Sequence, residues 1–302
     1  MNYNMFEIEY NEPDGRFKPS KGVGAGPLRE KNQYAHFHTH AMNILACIYV
    51  YMQTGNERLL ERAVKAYEWG ISRGNSRVGF FPMCTYDEYI GAQTAETCQV
   101  ADMLIAGVTL ARLGHDTWDD VDRWVRNQFA ESQLTRVNWL RDGHLDYSRS
   151  PVGEGYFDSP RRTTEQVADR TLGAFAGWPS PNDWVGAEDW WGGDSHNIIY
   201  TIMNCCTGSG CRGLYSVWRD MISFEKDTLR VHLLLNRASG WADIDSYIPF
   251  TGRVDVKVKQ DLKLALRIPE WVVPDAVTCT VDGKPRGLSF DGRYAQVGNV
   301  AE

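Results

Sequence analysis

Two adjacent cysteines, Cys205 and Cys206, sit in the run Met203-Asn204-Cys205-Cys206-Thr207-Gly208-Ser209-Gly210. Side chains of neighbouring residues diverge and a vicinal disulfide ring is strained, so the pair is a poor internal staple. It reads better as two sulfurs offered to one metal ion. Far upstream, Glu96-Thr97-Cys98 places a carboxylate and a third thiol two residues apart at the start of a helical pattern. Glu96, Cys98, Cys205 and Cys206 together match a zinc ligand set. Four protein ligands usually mark a structural zinc, since no position is left for water. The glycine-rich stretch after Cys206 reads as a helix break, which would instead present a metal-bound thiolate to a cleft as a soft nucleophile. The residues alone leave both roles open.

Other side chains could join this chemistry. In His36-Phe37-His38-Thr39-His40, His36 and His40 share a helix face, but the glutamate of a zinc-protease motif is missing, and His40 is read as a substrate contact on a cleft rim. Asp87 and Glu88 precede the Glu96 segment, and Glu88 is the candidate general acid/base. Trp184, Asp194 and His196 lie in or beside the aromatic loop and are candidate substrate contacts, while Asp183, Glu188, Asp189 and Asp194 are competitors of Glu88 or hydroxyl-binding groups. Asp119, Asp120 and Asp122 read as acids at a helix N-terminus. Cys47, Cys84, Cys211 and Cys279 read as buried small hydrophobes, Cys211 being near enough in sequence to substitute as a ligand.

Composition limits what such a site can serve. The chain of 302 residues is 43% hydrophobic and 24% charged, values of an ordinary globular protein. A net charge of −7 without basic runs argues against nucleic acid or anionic membrane as partner, and favours a neutral or weakly charged substrate. Seven cysteines, an odd number, suggest reduced thiols. The first twenty residues have no signal-peptide pattern, so a cytoplasmic location is expected. Aromatics are abundant, with 11 Trp, 14 Tyr and 11 Phe, as cores and sugar platforms both require. Oligomeric state is not readable.

The elements that must position these groups follow from periodicity. Met42, Leu45, Ala46, Tyr49 and Met52 predict a helix from His36 to about Thr54, stopped by Gly55. Leu60, Ala63, Ala66, Tyr67 and Trp69 predict a second over 59–72, making a helical hairpin. Further helices are expected over 95–113 and 119–133, and over 197–221 on both sides of the glycine break. After Asp227 the period becomes two: 229–233, 254–258, 262–268, 277–281 and 294–297 predict strands of an antiparallel sheet, with a turn at Asp282-Gly283. The chain is therefore expected to be mainly α with a C-terminal all-β domain, divided as 1–225 and 226–302.

Glu96-Thr97-Cys98, Asn204-Cys205-Cys206 with Arg212 and Leu214, the segment His40-Ala41 to Thr54-Gly55-Asn56-Glu57, and Leu266-Arg267-Ile268-Pro269-Glu270-Trp271 together resemble the β-L-arabinofuranosidase family, glycoside hydrolase family 127. The resemblance covers most of residues 36–275. It implies an (α/α)6-barrel-type helical toroid followed by an antiparallel β-sandwich, both incomplete here, and a zinc held by Glu96, Cys98, Cys205 and Cys206. It further implies that Cys205 attacks an anomeric carbon, that His40 contacts substrate, and that a separate glutamate is the acid/base. The family's acid/base glutamate lies in a Gly-rich segment, and the matching stretch here reads Val78-Gly79-Phe80-Phe81-Pro82-Met83, which leaves Glu88 as the candidate. The expected activity is a zinc-dependent retaining glycoside hydrolase for L-arabinofuranoside-like residues of glycans. The alternatives are a carbohydrate-binding or structural protein with a structural zinc, and a hydrolase or lyase for a different sugar.

Overall fold

The computed structural model describes residues 11–18, 36–83, 85, 95–136, 166–177 and 204–302. Two compact units divide the chain: residues 1–106 with 123–213, and residues 107–122 with 214–302. Helices come first and sheets last. The second unit takes in helical residues as well as every strand among the described residues, so position 225 lies inside it.

In the first unit, α1 (Phe37–Thr54) and α2 (Glu57–Ser72) form the expected hairpin. Gly55 caps α1 at φ 68°, a left-handed conformation that glycine adopts without strain, and donates to the Tyr51 carbonyl at 2.7 Å. Asn56 starts α2 by accepting from the Arg58 N–H at 3.2 Å. Ile44 and Ile48 of α1 and Leu59, Ala63 and Ala66 of α2 are buried.

α3 (Thr97–Arg112) is buried on nearly every side: Val100, Ala101, Met103, Leu104 and Ala106 are enclosed, and so are the polar Gln99 and Asp102. The single helix expected over 119–133 is instead α4 (Trp118–Arg126) and α5 (Gln128–Glu131). Asn127 interrupts it. Its amide turns back to the Arg123 carbonyl at 2.7 Å, and the Gln128 N–H bonds the Val78 carbonyl at 3.0 Å. Trp124 anchors the layer below, packed on Tyr67 and Phe81 with its indole N–H on the Ser76 carbonyl at 2.8 Å.

After the short α6 (Val167–Arg170), α7 (Asn204–Asp220) runs unbroken through Gly208 and Gly210, which corrects the expected helix break. Two glycines of α7, Gly210 and Gly213, permit close packing. The Phe175 ring covers Gly210, and a Cβ on Gly213 would come within 2.9 Å of the Ala101 Cβ. The missing side chain of Gly213 lets α7 lie directly against α3.

The second unit holds ten strands. β1 (Ile222–Glu225), β2 (Thr228–Val231), β6 (Leu262–Arg267), β10 (Tyr294–Val300) and β9 (Ser289–Asp291) form one sheet in the order β1-β2-β6-β10-β9. β3 (Arg237–Ala238), β4 (Ala242–Ser246) and β5 (Val254–Val258) form a second, and β7 (Cys279–Val281) with β8 (Lys284–Arg286) a third. All neighbours run antiparallel except β2 and β6, which pair in parallel because the intervening chain builds the second sheet before returning. Asp282 and Gly283 make the β7–β8 turn at φ 52° and 74°, as their types require. Residues 107–122 are tied to these strands: Arg267 bridges Asp116 at 2.8 Å and Asp119 at 2.5 Å. His232 stacks on Trp118 at 4.6 Å and bonds the Tyr294 hydroxyl at 2.6 Å.

Candidate metal centre

Three thiols from two helices converge. Cys98 is the second residue of α3, and Cys205 and Cys206 lie in the first turn of α7. Sγ of Cys98 is 2.9 Å from that of Cys206, Cys205 is 3.8 Å from Cys206, and all three lie within 4.8 Å of one another. The glycine contact of α7 with α3 brings the helices this close, and Arg212 of α7 bonds the buried Asp102 of α3 a turn further along. Cys98 and Cys206 are buried, while Cys205 is exposed. No disulfide joins the six described cysteines.

The electrostatics fit a cation. The hydrogen bond to Cys206, then burial, push the Cys98 thiol well above its usual range. Burial, then the neighbouring Cys98, raise Cys205. The carboxylate of Glu96 adds to both effects, so these groups oppose one another's ionisation. A bound cation reverses that balance and holds the thiols deprotonated.

Geometry fits as well. Thiolates about 2.3 Å from one zinc stand about 3.8 Å apart in a tetrahedron. Cys205 and Cys206 already have that separation at 3.8 Å, and Cys98 and Cys206, at 2.9 Å, would open on binding. The cluster could hold a metal ion. Glu96, expected as the fourth ligand, is buried immediately before α3 but is not among the groups that lie within 4.8 Å of one another, and its Oε2 lies 2.5 Å from Nε2 of His36. His38 Nδ1 lies 3.0 Å from Asp102 Oδ2 without hydrogen-bond alignment.

His36, Asp102 and Arg212 are the partners that sequence reasoning missed, because their pairings span 60 and 110 residues. His40, expected at a cleft rim, is fully enclosed. Its ring packs edge-on against Phe17, Phe37 and Trp69, and Nε2 meets the Ala66 carbonyl at 2.9 Å. Burial lowers its pKa to about 4. Cys211 is exposed and is not one of the three convergent thiols. Glu88, Trp184, Asp194 and His196 lie outside the described residues. In the second unit a cavity of about 1250 Å³ lies among strands, lined by Val254, Val256, Leu264, Leu266 and Val297. Its lining, which also takes in Arg253, Asp255, Lys257 and Lys259, includes none of the convergent thiols.

No family model matches this chain, and no curated protein does. Among solved structures it is similar to a β-L-arabinofuranosidase of glycoside hydrolase family 127 from Geobacillus stearothermophilus T6, with TM-score 0.53 and 17% identity over 95% of this chain and 44% of that one. It is also similar to a protein described as a glycoside hydrolase, with TM-score 0.58 and 13% identity over 98% of this chain and 50% of that one. The chain thus spans about half the length of these neighbours. At such identities the likeness is one of fold, and at that level the resemblance drawn from Glu96-Thr97-Cys98 and Cys205-Cys206 holds. No helix among the described residues is long and apolar enough to cross a membrane.

Proposed function

We propose that this chain belongs to a zinc-dependent retaining glycoside hydrolase that acts on L-arabinofuranoside-like residues of glycans, with Cys205 as nucleophile. The observation that carries the reading is the convergence of three thiols, of which Cys205 is the exposed one, in a chain whose solved neighbours are glycoside hydrolases. Cys98, Cys206, Cys205 and Glu96 would hold the zinc. Bound there, zinc keeps the sulfurs ionised at neutral pH. The Cys205 sulfur forms a bond to the anomeric carbon as the glycosidic bond breaks, a carboxyl group protonates the departing oxygen, and water then releases the sugar from sulfur. Glu88 is the carboxyl assigned to that proton transfer. The helices are read as part of an (α/α)6-type toroid and the strands as part of a β-sandwich.

Cys205→Ser, assayed on a panel of nitrophenyl furanosides and pyranosides, is expected to abolish turnover while leaving far-UV circular dichroism unchanged. Full turnover by this variant would overturn the nucleophile assignment. A structural zinc is the second reading, favoured by the burial of Cys98 and Cys206 where α3 meets α7. Chelation separates the two: a structural site unfolds without metal, whereas a catalytic one loses turnover with its fold intact.

A further inference from the structure

His36 stands at the entry to α1, and its ring meets Glu96, which lies two residues before Cys98 in sequence. Its backbone position is set on two sides. The Phe37 N–H bonds the Met83 carbonyl at 2.9 Å, and the His36 carbonyl accepts from the His40 N–H at 3.3 Å. From there Nε2 lies 2.5 Å from Oε2 of Glu96. The glutamate side chain is 7% exposed and the imidazole 25%, so the contact joins a buried acid to a half-buried ring. A buried carboxylate requires such a partner, because desolvation without a hydrogen bond costs several kcal/mol. The next histidine also lies beside a buried acid, without a hydrogen bond to it. His38 lies beside Asp102, which Arg212 of α7 also contacts. Glu96 and Asp102 flank Cys98 in sequence, so the entry to α1 registers the cysteine-bearing end of α3.

We propose that His36 is a positioning residue that holds Glu96 as the oxygen ligand of the ion bound by Cys98, Cys205 and Cys206. This rests on the metal reading given under Proposed function. A carboxylate has two oxygens, so donation from Nε2 to Oε2 leaves Oε1 for the cation. Hydrogen bonding to one oxygen also fixes the carboxylate's orientation before the ion arrives, and ligand partners of this kind are worth about 10–100-fold in metal affinity. The two histidines therefore have different roles, His36 serving a ligand while His38 sits by the Asp102–Arg212 tie that holds the helices.

The test is zinc affinity of the full chain, read by competition with a chromophoric chelator, together with the visible spectrum of the cobalt-substituted protein. His36→Ala is expected to weaken zinc binding by about 10–100-fold. His36→Gln, whose amide N–H can reach Glu96, is expected to recover most of that loss. Glu96→Ala should lose affinity similarly, and adding His36→Ala to it should cost nothing further, because the imidazole then has no ligand to orient. The cobalt bands should shift alike in His36→Ala and Glu96→Ala; damage confined to fold stability would leave them in place. Should His36→Ala fold poorly by circular dichroism, His36→Leu fills the space without a donor and carries the same expectation. Wild-type affinity in the donor-less variants, or additive losses in the double variant, overturns the inference while leaving the metal reading intact. A wild-type chain that takes up neither zinc nor cobalt sinks the metal reading and this inference with it.

Discussion

Replacing Arg267 by Met should release residues 116–119 from the end of β6, and its two partners predict unequal consequences. The Arg267 side chain is 2% exposed, Asp119 13% and Asp116 72%, with separations of 2.5 Å to Asp119 and 2.8 Å to Asp116. Removing one partner of a buried ion pair costs about 3–5 kcal/mol, whereas an exposed pair contributes about 0.2–1 kcal/mol. In Arg267→Met the enclosed Asp119 keeps the Glu270 N–H at 2.9 Å, so the loss should fall near the lower figure, about 3 kcal/mol. Asp119→Asn leaves a buried guanidinium facing only the solvated Asp116, and should cost about 3 kcal/mol. Asp116→Asn should cost less than about 1 kcal/mol. Urea unfolding at neutral pH, followed by tryptophan fluorescence and circular dichroism, measures all three. Equal losses for the two aspartate variants, or a loss under about 1 kcal/mol for Arg267→Met, would refute the assignment of this cluster as a buried pin.

Gly210→Ala should lower the melting temperature, because its methyl group meets the Phe175 ring and overpacking costs about 1–3 kcal/mol. Gly208→Ala, with no atom of the described residues within 4 Å of its Cβ, should instead stabilise α7 by roughly 0.5–1 kcal/mol. Opposite outcomes in melting scans would show that α7 is not packed as described. His40 and His232 have pKa values lowered from 6.5 to about 4, in both cases first by burial. The unfolded chain therefore binds protons first as pH falls, and stability is lost between pH 6.5 and about 4. Part of that loss should disappear in His232→Gln, and an unchanged slope of stability against pH would exclude His232 from it. Asn56→Ala should destabilise by about 1 kcal/mol through loss of the cap on Arg58, measurable as a shift in urea midpoint; no shift would show that the cap adds nothing to stability.

Legibility followed sequence separation. The α1–α2 hairpin was readable because its apolar spacing and the Thr54-Gly55-Asn56 turn are local signals, and β5 because Val254, Val256 and Val258 alternate. β4 escaped notice: Asp243 and Asp245 make Ala242–Ser246 look like a loop, and only pairing with β3 and β5 makes it a strand. The glycines of α7 misled for a related reason, since a missing side chain reads as a break until the Phe175 ring and Ala101 are seen against it. Asp119 read as a dipole-complementing acid because Arg267 is 148 residues away. The convergence of Cys98 with Cys205 and Cys206 was legible across a similar distance because thiols are few and chemically specific. The partner of Glu96 was not, since nothing about a histidine at position 36 names the acid it will meet.

The most direct test of the central claim is the zinc content of the purified chain by elemental analysis, beside Cys98→Ser and Cys206→Ser. Close to one zinc per wild-type chain is expected, lost or sharply reduced in both variants. A wild-type chain without zinc, or serine variants that retain it fully, would contradict the claim.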